Sequence, residues 1–446
     1  MLKNMLRTIA AISLVASVAS CDLDVPDLNN PGLDSLSEHP TRSGILAAAT
    51  GLIIGNRIGF STENGYVAHL GILGREMYNF DPADPRYVDE MLKSSFDPGA
   101  TAFGGNFWAA PYVNIRSAFT VLHAVDAVVG MPDTEKEAAR GLAKTIQALD
   151  FLVIINAHDT NGAPILVDRP ISDLAPIASK AEVFAHIKSL LDEAKGHLEK
   201  AGGTFPFALS TGYAGFDTPA TFLKFNRAIK ARVDVYTGDF NAALTDLAAS
   251  FISNDPANPA LDVGVYHSYG TGSGDSRNGL INKNFFAHPS VVTDADKKAD
   301  GTTLDDRVTR KIDTIAMPAK YKDLTSNLVF KIYKSPTDRV PIIRNEELIL
   351  LRAEANIGLN NLVAAADDIN FIRVNSGGLA PRLDLTTAAI ALTELLKQKR
   401  YSLMFEGGHR WIDARRYGLL NTLPLDRPGD VVHDRFPIPT SESDAR

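Results

Sequence analysis

The run LMFEGGHRWIDARRYGLL (403–420) gathers Glu406, His409, Arg410, Trp411, Asp413, Arg415 and Arg416 in one short stretch. Each of these residue types could serve catalysis or metal binding. A metal would need a third ligand beside His409 and Asp413, and the run offers only those two at helical spacing. Acid–base chemistry would need two carboxylates in different environments, whereas Glu406 and Asp413 both have arginines at hand that keep them ionised. If a helix starts at His409, then Glu406–Arg410, His409–Asp413 and Asp413–Arg416 fall at pairing distance, and Trp411 can stack on Arg415. The spacing predicts a buried polar clamp that locks the last helices to the body.

Other chemical candidates weaken in the same way. Ser276 in GDSRNG lacks the strand–turn–helix elbow of a nucleophilic serine. DTNG (159–162) and DADKKADG (294–301) resemble calcium loops, but Lys298 holds a ligand position and Arg307 stands where the closing glutamate belongs. The ten histidines show no metal spacing. No catalytic residue, metal ligand or cofactor is therefore expected. The loop aromatics are different. Sugars present flat apolar faces ringed by hydroxyls, so a sugar site wants rings beside Asn, Asp or Arg. Arg75, Tyr78 and Phe80, then Asn106 and Trp108, then Tyr269 and Arg277 supply that mixture on three glycine-bearing segments. They are the expected ligand-binding residues.

Something must position these segments, and the strongest periodic stretches are helical. Leu142, Ile146, Leu149, Val153 and Ile154 repeat at helical spacing after Pro132-Asp133. A second helix opens at Ser179 with Glu182 three residues on and stops at Gly202-Gly203. Residues 229–248 and 351–370 align at one offset: Ala231 with Ala353, Val235 with Ile357, Phe240 with Leu362, Leu247 with Ile369. Each reads as a helix, a tight polar turn and a second helix, the logic of a tetratricopeptide-like hairpin. The expected fold is all-α, a body of such hairpins with long irregular loops and minor short strands making a ligand face.

The ends bound the cellular setting. Lys3 and Arg7 precede an apolar run to Ser20 that is shorter than the roughly 20 residues a bilayer needs, so it reads as an export signal. It closes on Val18-Ala19-Ser20-Cys21, with Cys21 the only cysteine. This resembles a bacterial lipobox, which would make Cys21 the lipidated first residue. The segments are then a signal peptide (1–20), an acidic tether (21–36) and one domain (37–446). Removing Lys3 and Arg7 takes the formal charge from −8 to −8 − 2 = −10. That balance argues against nucleic acid, whose phosphates demand clustered cations. No later apolar run could cross a membrane, so attachment would rest on the lipid. Asp22 after the cysteine fits inner-membrane retention in some bacteria and a surface-export signal in others.

The order of segments, from the lipobox through DDRVTRKI, PIIRNEELILLRAEANIGLNNLVAAADDINFIR and LLKQKRYSLMFEGGHRWIDARRYG to FPIPTSE, resembles the RagB/SusD family of outer-membrane nutrient-uptake lipoproteins. Arg352, Glu354, Asn370, Arg373, Glu406, Arg410, Trp411, Asp413 and Arg416 carry the resemblance as a structural signature. The family typically has Glu-Arg where this chain has Lys399-Arg400, and one glycine where it has Gly407-Gly408. The resemblance implies a non-catalytic, surface-facing protein, lipid-anchored at the outer membrane. It would capture a glycan or other nutrient and hand it to a SusC-like TonB-dependent transporter. Two rivals remain: a surface glycosidase, which needs a carboxylate pair on the open face, and a tetratricopeptide scaffold of envelope assembly, which predicts regular repeats with short loops.

Overall fold

The computed structural model describes residues 33–99, 103, 107–169 and 173–446. Cys21, the signal segment and Asn106 lie outside the described residues, as does the tether up to Gly32. The first helix, α1 (Leu33–Glu38), spans the expected tether boundary, and Leu36 is already buried in the core.

The body is mostly helical. Helices α2 (Arg42–Asn56), α3 (Tyr66–Leu73), α4 (Ala109–Ala127), α5 (Asp133–His158) and α6 (Lys180–Leu198) lead into two hairpins. Ser179 caps α6 through a reciprocal box with Glu182, as its spacing predicts. The predicted stripes are buried except at the half-buried Val153: Leu142, Ile146 and Leu149 on α5 meet the same core as Val183, Ile187 and Leu190 on α6.

The hairpins are α7 (Pro219–Thr237) with α8 (Phe240–Ala248), and later, after α9 (Asp306–Lys311), α10 (Asn345–Gly358) with α11 (Leu362–Asn375). Equivalent positions share burial: Ala231 and Ala353, Ala243 and Ala365, Leu247 and Ile369. The pairs interlock at a corner where Phe240 packs on Gly358. A Cβ there would come within 2.1 Å of the ring, so only glycine allows the approach. Helices α12 (Ala388–Ser402) and α13 (His409–Arg416) close the body.

The long insertions fold more than irregular loops would. Strands β1 (Met77–Asn79), β3 (Phe285–Ala287), β4 (Ile312–Tyr321) and β5 (Leu324–Phe330) form a sheet in the order β1-β3-β5-β4, and β2 (Gly264–His267) pairs antiparallel with β6 (Val340–Arg344). This sheet, with α3 and the C-terminal segment, encloses a second core of Leu70, Met77, Phe285, Phe405, Trp411 and Phe436. Sheet faces with helices on them bury alternate or all side chains, and that decides the fate of the loop aromatics.

Candidate functional site

Among the residues expected to bind ligand, the rings are inside. Tyr78, Trp108 and Tyr269 are only 2 %, 4 % and 9 % exposed. Tyr78 stacks on Phe80 with centroids 5.3 Å apart, in the second core that also holds Tyr269. Trp108 lies in the helical core, its Nε1 donating to Glu442 Oε2 at 3.3 Å. None of the three is a free stacking platform, and for Tyr78 the pairing of β1 with β3 (Tyr78 opposite Phe286) is what turns the ring inward. Arg75 is fully buried as well. Its guanidinium donates to the carbonyls of Pro424 (3.0 Å) and Val431 (2.6 Å), tying the C-terminal segment to the end of α3. Of the expected residues that are described, only Arg277 is exposed. Its neighbour Asn278 donates from Nδ2 to Asp338 O at 2.9 Å, which pins the turn 335–338.

The clamp is present, wired differently from the helical spacing. Phe405 (φ 58°) and Gly408 (φ 73°) turn the chain before α13, so Glu406 stands off the helix and meets Arg344 and Lys311 instead of Arg410. Arg410 donates to Arg75 O at 2.6 Å. Trp411 is wholly buried, donates to His433 O at 2.7 Å and carries Arg415 on its face at 4.4 Å. His409 makes no pair with Asp413: burial, with Arg232 and Lys399 nearby, pushes its pKa down to about 3.

At the centre sit Glu354 and Asp413. Lys399 Nζ lies 2.8 Å from Glu354 and 2.7 Å from Asp413, while Arg416 reaches them at 2.8 and 3.0 Å. Burial would raise the Glu354 pKa, but Arg416 and Lys399 outweigh it and hold it near 2. The other signature residues are structural too. Arg352 makes a fork to Asp368 (2.6 and 2.9 Å), Asn370 binds the backbone of Arg382, and Arg373 bridges Ala380 O and Asp296. Among the described residues, no group of three His, Cys, Asp or Glu side chains could hold a metal ion.

A different place gathers what a polar ligand needs. The β2–β6 ladder shifts register between Val265 and Tyr266, and such a bulge re-aims a side chain. Gly264 permits it: a Cβ there would meet Ile343 O at 2.3 Å. Beside the ladder opens a cleft of about 590 Å³, walled by Asp262, Tyr266, Arg310, Tyr333, Arg339 and Asn375. The tyrosine hydroxyls are tied down, Tyr266 to Asp262 O and Tyr333 to Phe405 O (3.1 Å). Arg344 forms the floor, donating to Glu406 (2.9 Å), Glu346 and Ser402 O (2.5 Å). Burial alone would raise the Glu346 and Glu406 pKa values, but Arg344 and Lys311 drive both below the usual carboxylate range. The floor is a closed ionic lattice, and the rim carries the uncommitted groups. Sequence reading reached the neighbouring 266–278 segment and missed Tyr333 and Arg339. The signal for them was YKSPTDR (333–339), an aromatic and an arginine framing a turn.

Other cavities do less. An apolar groove of about 560 Å³ between α2 and α4 has few polar groups. A cavity of about 50 Å³ near Arg232 and His409 has room only for water. Asp150, accepting from Asn56 and Asn114 at 2.7 Å, is pushed up to about 8 by burial, yet the void beside it measures about 10 Å³. No substrate fits there.

Residues 278–441 match the family model described as the SusD family. Over about nine-tenths of the chain the fold resembles solved structures. One is a SusD superfamily protein from Bacteroides vulgatus ATCC 8482 (TM-score 0.68, 16% identity, covering 91% of this chain and 97% of that one). Another is a SusD-like carbohydrate binding protein from Bacteroides fragilis NCTC 9343 (0.68, 16%, 87% and 88%). A third is a laminarin binding SusD-like protein (0.63, 17%, 90% and 96%). No curated protein matches the sequence.

Proposed function

We infer, for this chain of the RagB/SusD family, the role of a capture protein that binds a glycan or oligosaccharide in the cleft beside β2–β6 and passes it on unchanged to a SusC-like TonB-dependent transporter. The observation that carries this is the cleft itself, where the exposed side chains of Asp262, Asn375, Arg310 and Arg339 stand around a wall shaped by the buried Tyr266 and Tyr333. Its volume suits a small ligand, and its exposed hydrogen-bonding groups suit the hydroxyl rim of a sugar. Two relatives of the same fold are described as carbohydrate binding and as laminarin binding, which supports the ligand class. The lipobox at Cys21 supports attachment at the outer membrane, facing the cell surface. Among the described residues, no helix is long and apolar enough to cross a membrane.

Catalysis is disfavoured on a chemical ground. Glycosidic cleavage needs one carboxyl that holds its proton, whereas Arg344 keeps both carboxylates of the cleft floor ionised. The scaffold rival predicts short regular loops, against which stand the β4–β5 hairpin and the second core.

The test is calorimetric titration of residues 22–446 with a panel of glycans. Binding should weaken in Asp262→Ala and Asn375→Ala, both exposed, with melting unchanged. Release of shorter sugars during incubation would favour the glycosidase, and unaffected affinity in both variants would remove the cleft as the site.

A further inference from the structure

The geometry points to a cleft that selects sugars bearing a carboxylate, with Arg339 as the residue that reads it; this rests on the capture role above. Four cations (Arg310, Lys311, Arg339, Arg344) and four carboxylates (Asp262, Asp338, Glu346, Glu406) line the cleft, but they are unequally committed. Glu346 and Glu406 are bound to Arg344, and Lys311 to Glu406 at 3.1 Å. Asp338 accepts from the backbone of Lys334 (2.5 Å) and Ser335 (3.0 Å) within its own turn. Asp262 points to solvent, 88% exposed, at 3.7 Å from Arg344. On the other side of the balance, Arg310 donates only to Ser376, at 2.9 and 3.3 Å. Arg339 has neither ion pair nor hydrogen bond among the described residues.

Arg339 is nonetheless held. Its guanidinium lies 3.9 Å from the centroid of Tyr266, and that ring is fixed by its hydroxyl and by the bulge of β2. A guanidinium stacked on an aromatic face keeps its N–H fork free in the ring plane's direction and loses little freedom on binding. A carboxylate matches that fork with two parallel charge-assisted hydrogen bonds, whereas a sugar hydroxyl accepts fewer and weaker ones. The chain as a whole is acidic, at −8, so general attraction for polyanions is not the source of selectivity. It must come from the cleft.

The experiment titrates residues 22–446, wild type and variants, with hexamers of galacturonate and of mannuronate and with neutral glucan hexamers. A uronate hexamer should bind at least tenfold more tightly than the neutral ones. Arg339→Gln should erase that preference by weakening uronate binding tenfold or more, and Arg339→Lys should restore only part, since an ammonium lacks the fork. The melting temperature should not move, because Arg339 is exposed. Equal affinity for both classes, or uronate binding untouched in Arg339→Gln, overturns the inference. Binding of neutral hexamers alone overturns it and leaves the capture role standing; binding of neither class removes both.

Discussion

Lys399 stands at the centre of the clamp, its ammonium between Glu354 and Asp413. Replacing it with methionine keeps the side-chain length and removes the ammonium that lies 2.8 Å from Glu354 and 2.7 Å from Asp413. Breaking a buried pair by deleting one partner costs about 3–5 kcal/mol. Here Arg416 still reaches both carboxylates, and Tyr417 donates to Glu354 at 2.7 Å, so the loss should lie near the lower end, about 3 kcal/mol. The deficit should also depend on pH. In the wild type the Glu354 pKa near 2 lies below its unfolded value, so its contribution is complete above the unfolded pKa and flat between pH 5 and 8. In the variant two carboxylates share one cation, which raises a folded pKa. A raised value gives stability that is lost as pH rises through it, so the deficit should grow from pH 5 to pH 8. Urea unfolding followed by circular dichroism at the two pH values measures this. A loss below about 1 kcal/mol, small beside the cost of breaking a buried pair, or one independent of pH, would refute the ionic account. Normal stability with lost ligand binding would move this segment into the binding site.

Trp411→Ala should cost about 3–5 kcal/mol, since the ring is wholly buried and carries Arg415; an unchanged unfolding midpoint would contradict that. Asp150, whose pKa of about 8 is raised far above its unfolded value by burial, stabilises less as pH rises. The stability difference between wild type and Asp150→Asn should therefore fall between pH 5 and 8, by on the order of 1 kcal/mol per unit, and a flat difference in urea titrations would dismiss the shift. Cys21→Ala should abolish fatty-acid labelling and release the protein from membranes; undiminished labelling would refute the lipobox.

What the sequence made legible was local. The capping box at Ser179, the stripes of α5 and α6 and the aligned hairpins follow from spacing within one element, and each is there. The clamp was legible in kind, because carboxylates and arginines this dense in one buried stretch must find ion-pair partners. Its wiring was not, since left-handed turns at Phe405 and Gly408 hold Glu406 off the start of α13 and hand it to Arg344, far off in sequence. The loop aromatics misled for a related reason. A glycine-bearing segment with Tyr and Phe looks the same whether it faces solvent or pairs as β1 with β3, and only the pairing sends Tyr78 inward. The cleft draws on residues 262–266, 310–311, 332–346 and 375–376, which meet only when β2 finds β6.

The central claim, a sugar held in the cleft beside β2–β6, is tested most directly by hydrogen–deuterium exchange of residues 22–446 with and without a bound oligosaccharide. Protection should appear at 262–266, 310–311 and 333–339. Protection confined to 75–80 and 107–112 would contradict the account, as would none at the cleft under saturating ligand.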